Sequence, residues 1–136
     1  LHQDGWLEIE VPLDSDIVAK RKQKKIAQFE RNTKRFKPSR PRRRYFAKTL
    51  CHLSKHGDVF VVRMPAEEKI IALENKLFSG FDTWAEAEAK KCGATYLDFS
   101  HQSSKYSYVD GSHLTAQGGS TFSRDLARKI NDWKEK

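Results

Sequence analysis

Long apolar runs are missing from this chain of 136 residues. Nothing approaches the ~20 consecutive apolar residues of a membrane-spanning helix, so no transmembrane segment is expected. Cysteine is scarce. Cys51 and Cys92 are the only two, each in a helix-like segment, and neither has a CxxC partner or a nearby ligand cluster. Two buried free thiols are the expectation, with a disulfide as the alternative. No segment repeats. The opening "LHQDGWLEIE" lacks a basic region followed by an apolar run, so it does not read as a signal peptide. It also lacks an initiator methionine, so the expected parent is a longer protein, and no compartment is assigned.

Acidic residues are nearly absent from one stretch. Between Lys20 and Lys48 lie 14 of the 26 Lys and Arg residues and one acid, Glu30, a balance of +13. The remainder holds 12 bases and 17 acids, a balance of −5. The overall +8 therefore describes a mildly acidic body with a strongly basic segment. Residues 16–48 read as a basic helical insert within a single domain over 1–136.

Leu7, Ile9 and Val11 alternate with Glu8 and Glu10, the pattern of a short strand with one apolar face. Pro12 ends it, and Asp14 or Ser15 is placed to cap a helix. That helix is expected from Ile17 to about Phe36. Two prolines in "KPSRPRRR" break it, and a second helix is expected over 43–55, ending at Gly57. The run Val59–Val62 is apolar throughout, as in a strand covered on both faces. One or two helices follow, with a break at "FSGF" and with Trp84, Ala87 and Cys92 toward the sheet. "ATYLDFS" reads as a second strand. A last helix spans about 115–133, with Phe122, Leu126 and Ile130 on one face. This alternation predicts an α/β fold with crossover connections.

"DGSH", Asp110 to His113, lies on a loop between that second strand and the last helix. A serine hydrolase needs a base that takes the nucleophile's proton, and histidine suits this near neutral pH. It also needs an acceptor on the other ring nitrogen to fix the tautomer. An aspartate three residues earlier can fold back to supply it. Sites in open α/β sheets gather at the carboxyl ends of strands, where this loop falls. On the four letters alone, a turn and a helix entry would account for the residues.

The order of "VVRMP", a helix, "YLDFS", a loop and "YVDGSHLTAQGGSTFSRDLARKI" resembles the C-terminal half of the SGNH hydrolases, the GDSL-type esterase family, over about 57–130. The resemblance implies a three-layer α/β/α flavodoxin-like sandwich, incomplete on its N-terminal side. It implies His113 as catalytic base and Asp110 as its orienting acid. It implies ester hydrolysis or O-acyl transfer, with acylated carbohydrate as a substrate class, and no cofactor. The chain departs from the family in lacking a Gly-Asp-Ser block and the Gly and Asn of the oxyanion hole. Ser15, in "VPLDSD", is the one candidate nucleophile, and Leu13 stands where the glycine would. Asn32 and Asn75 fall in helical stretches. The expectation is the Asp-His half of a triad, nearly inactive alone.

Two further features carry possible chemistry. Lys34, Arg35, Arg40, Arg42, Arg43 and Arg44, with Phe36 and Tyr45 among them, could bind a polyanion such as nucleic acid or acidic polysaccharide. This is the alternative reading, a non-catalytic binding module. For metals, His52 and His56 share a helix face at i, i+4, but no third ligand accompanies them, so no metal site is expected. Asp98 is expected to cap a turn near Ser100. A half-sheet with an open edge invites a partner strand or an oligomer.

Overall fold

The structure is a computed structural model in which residues 11–135 are described. Most of the expected opening strand, including Leu7 and Ile9, and His2 lie outside the described residues. The chain forms α1 (Ser15–Arg35), α2 (Arg40–Leu53), β1 (Phe60–Arg63), α3 (Glu68–Leu77), α4 (Phe81–Lys91), β2 (Thr95–Asp98), a 3₁₀ segment (Ser100–Lys105) and α5 (Ala116–Lys134). It is a mixed α/β protein dominated by helix.

β1 and β2 pair in parallel, with Val61 opposite Tyr96 and Val62 opposite Leu97. Parallel neighbours need a crossover, and α3 and α4 supply it. Val59 and Arg63 carbonyls accept from Thr95 and Phe99 amides, so alternate β1 residues turn their backbone groups toward β2. Among the described residues the sheet has only these two strands.

Helices cover both faces. Leu50 of α2 and Ala89 of α4 are buried against Ala94, with Phe46, Val59, Val61 and Tyr96 packed around them. On the other face Phe122 of α5 is buried with Phe99 and Tyr106, against Val62, Leu97 and Leu126. Neighbouring valines of β1 thus enter different clusters, which is why the run has no polar alternation. A third cluster joins α1 to α3 through Ile26, Ala66, Ile70 and Ile71. The basic segment is therefore two helices, each held by its own apolar anchor.

Several local expectations shift. α2 begins three residues early, because Pro41 sits in its first turn, where the missing amide costs nothing. Ser39 Oγ accepts there from the Arg42 amide at 3.4 Å. α3 and α4 part at Phe78–Gly80, with Gly80 at φ +77°. Ala85 and Ala89 are the buried alanines of α4, whereas Ala87 is exposed. Trp84 instead joins an aromatic cluster, 5.2 Å from Phe46 and 5.4 Å from Phe78.

The cysteines are corrected outright. Cys51 and Cys92 form a disulfide, with Cα atoms 4.5 Å apart and a sequence separation of 41. It ties α2 to the C-cap of α4, and Cys51 is exposed. α2 and α4 pack on the same sheet face, and that contact brings the two residues together.

Candidate functional site

The DGSH loop is built by its own aspartate. Asp110 Oδ1 accepts from the amides of Ser112 and His113, both at 2.9 Å, and from Ser112 Oγ at 3.1 Å. This side-chain-made turn is what Asp favours in loops. Gly111 takes φ +91°, and a Cβ there would sit 3.2 Å from Ile70. The Gly111 carbonyl accepts from the Glu67 amide at 2.8 Å, just before α3. The loop is thereby fastened where β1 leads into α3. Beyond it, Thr115 Oγ1 caps α5 by accepting from the Gly118 amide at 3.0 Å.

With Oδ1 so engaged, Asp110 Oδ2 meets His113 Nδ1 at 2.9 Å. The carboxylate is mostly buried and the imidazole largely exposed. Lys25 of α1 brings its ammonium to 3.4 Å from the same Oδ2. Burial raises the Asp110 pKa, but the Ser112 amide, the His113 ring and the His113 amide together outweigh it. The group is held well below the usual carboxylate range, and so ionised. A carboxylate on Nδ1 leaves Nε2 as the ring's proton-accepting atom, the tautomer a general base needs. Among the described residues no hydroxyl or thiol hydrogen-bonds Nε2. A polar cleft of about 260 Å³ is lined by Glu67, Ser103, Tyr106 and Tyr108, and includes no residue of the loop itself.

Ser15 is the first residue of α1 and is exposed. Lys25 is the α1 residue that reaches Asp110, and it lies ten positions beyond Ser15, about 15 Å along the helix axis. The structure does not bring Ser15 to the dyad. Asp14 is the N-cap residue and makes no side-chain capping bond. Asn32 is in α1 and Asn75 in α3. Asp98 Oδ1 accepts from the Ser100 amide at 2.7 Å, making the expected turn. His52 and His56 rings touch edge to face at 5.1 Å. Among the described residues no group of three or more potential ligands surrounds a metal position, and no helix is long and apolar enough to cross a membrane.

The basic residues divide. Lys34 and Arg35 lie in the last turn of α1, and Arg40, Arg42 and Arg44 are exposed on α2. Arg43 is half-buried, its guanidinium 5.5 Å from the centroid of the Phe78 ring. It packs inward rather than joining the exposed set.

One charged group was not legible in the sequence as a partner-seeker. Arg63, at the carboxyl end of β1, is buried and pairs with Asp82, while its other terminal nitrogen donates to Asn75 Oδ1 at 2.8 Å. Tyr96 donates to Asp82 Oδ1 at 2.6 Å. Burial would raise the Asp82 pKa, but the Tyr96 and Arg63 bonds lower it overall. Glu74, 3.6 Å from Arg63, goes the other way: burial raises its pKa more than Arg63 lowers it. A cleft of about 470 Å³ lies here, lined by Phe46, Val61, Phe78, Phe81 and Tyr96 among others. It includes no residue of the dyad loop. The one legible signal was an arginine closing an otherwise apolar strand. Comparison with protein-family models, curated proteins and solved structures finds no match to this chain.

Proposed function

We propose that this chain supplies the Asp-His half of an SGNH-type ester hydrolase or O-acyl transferase, with acylated carbohydrate as its substrate class. On this reading the two strands and their helices belong to a three-layer flavodoxin-like sandwich. The observation that carries it is the 2.9 Å contact between Asp110 Oδ2 and His113 Nδ1, on a loop held by the same aspartate's other oxygen. In such an enzyme, Nε2 takes the proton of a nucleophilic hydroxyl as it attacks the ester carbonyl. It returns that proton to the leaving alcohol, while Asp110 stabilises the imidazolium between the two steps. The nucleophile and oxyanion donors would come from elsewhere in a longer parent or from a partner. Donors aimed at the developing oxyanion are usually the largest single catalytic contribution, so slow reaction is expected from this chain alone.

Turnover of an aryl acetate ester tests the reading. Slow cleavage above buffer is expected, lost in His113→Ala, reduced in Asp110→Asn and unchanged in Ser15→Ala. Equal rates in wild type and His113→Ala would remove the dyad's role. Rapid turnover lost in Ser15→Ala would make that serine the nucleophile.

A further inference from the structure

Of the 14 Lys and Arg residues from Lys20 to Lys48, only Lys22 and Lys25 meet a carboxylate among the described residues. The first turn of α2 carries arginines and no acid, against the helix dipole, which favours negative charge at that end. Among the described residues no carboxylate pairs with these arginines. Yet the segment is ordered, anchored by buried Leu50 and by the Cys51–Cys92 bond. Arg40, Arg44 and Lys48 recur every four residues and are all exposed, so they form one row at about 6 Å per step.

Two aromatic rings stand among these cations. Tyr45 is 66% exposed and Phe36 55%. The Lys48 ammonium lies 5.6 Å from the Tyr45 centroid, and the Arg35 guanidinium 5.9 Å from that of Phe36. Single exposed aromatics are ordinary. A pair of them flanked by unneutralised cations offers what a flexible polyanion with planar groups requires: charges for its phosphates and faces for its bases.

We propose that the end of α1, the link over 36–39 and the outer row of α2 form a binding surface for single-stranded nucleic acid. Arg40, Arg44 and Lys48 take successive phosphates, and Tyr45 and Phe36 stack unpaired bases. A duplex keeps its bases stacked and would leave the rings unused. An acidic polysaccharide would engage the cations and depend less on the rings. The proposal is independent of the ester chemistry, because neither Asp110 nor His113 belongs to this surface.

The test is fluorescence anisotropy of a labelled oligothymidylate of about 16 nucleotides, with unlabelled polygalacturonate as competitor. Saturable binding is expected at about 50 mM salt. For about three phosphates the single-strand salt slope is about −2.1, so a rise to about 200 mM should weaken binding ~20-fold. Arg40→Ala with Arg44→Ala should weaken binding and flatten that slope. Tyr45→Ala should weaken it about tenfold with the slope unchanged, because stacking carries no counterion release. His113→Ala should bind as wild type does. No saturable binding at low salt would overturn the proposal. So would unaltered affinity in Tyr45→Ala together with equal competition by polygalacturonate, which would assign the surface to acidic polysaccharide.

Discussion

Lys25 and His113 converge on one oxygen: Asp110 Oδ2 lies 3.4 Å from the Lys25 ammonium and 2.9 Å from His113 Nδ1. The lysine comes from the basic helix α1 and the histidine from the loop before α5. The basic segment and the dyad are thus joined at a single carboxylate, although Lys25 and Asp110 are 85 positions apart in sequence.

That carboxylate's ionisation sets a pH dependence. Asp110 has a depressed folded pKa, so its contribution is complete above the unfolded value of about 3.9. It is lost as pH falls toward the folded value. Asp110→Asn keeps a side-chain oxygen for the turn but loses the charge. It should cost about 1–2 kcal/mol at pH 7, as for a charge-assisted hydrogen bond. The difference from wild type should narrow steadily below about pH 4. Urea unfolding across that range measures it, and a pH-independent difference would contradict the account.

Arg63 and Asp82 form one pair with unequal exposure, 6% and 36% at the side chain. Removing the buried member should cost more. Arg63→Ala also strips the acceptor Asn75 of its donor, and a loss of about 3 kcal/mol is expected. Asp82→Asn keeps one acceptor oxygen, which serves Tyr96 or Arg63 but not both, while Glu74 stays near Arg63, so about 1–2 kcal/mol is expected there. Chemical denaturation of the two variants gives the comparison, and equal losses would refute the burial argument.

Gly118 and Gly119 are neighbours in α5 with opposite expectations. A Cβ on Gly118 would lie 2.4 Å from the Ser107 carbonyl, whereas one on Gly119 meets nothing within 4 Å. Gly118→Ala should therefore destabilise by about 1–3 kcal/mol, since backbone must move. Gly119→Ala should stabilise by ~0.5–1 kcal/mol, as for a glycine within a helix. Thermal melts of the pair should shift in opposite directions.

The Cys51–Cys92 bond closes a long loop between α2 and α4. In the chain-entropy picture, opening a loop of this size costs about 4 kcal/mol. Unfolding with and without a thiol reductant checks this. An unchanged midpoint after confirmed reduction would show that the bond adds nothing to stability.

What the residues declared for themselves was local. Apolar runs, turn formers and helix periodicity gave two strands, the α3–α4 break and α5 in nearly the right places, because hydrogen bonding and burial follow patterns a few residues long. Asp110 and His113 were legible as a pair for the same reason. An aspartate that accepts amides two and three residues ahead makes its own turn and presents its other oxygen to the histidine. The unbalanced charge of Lys20–Lys48 was likewise readable by counting. Contacts between distant segments had no such signature. The disulfide, the Arg63–Asp82–Tyr96 network, the inward turn of Arg43 onto Phe78 and the approach of Lys25 to Asp110 each join residues on different elements. They exist because α1 packs on α3 and because α2 and α4 share one sheet face. Those packings depend on the apolar clusters closing together, so only the tertiary structure decided which charges meet and which stay free.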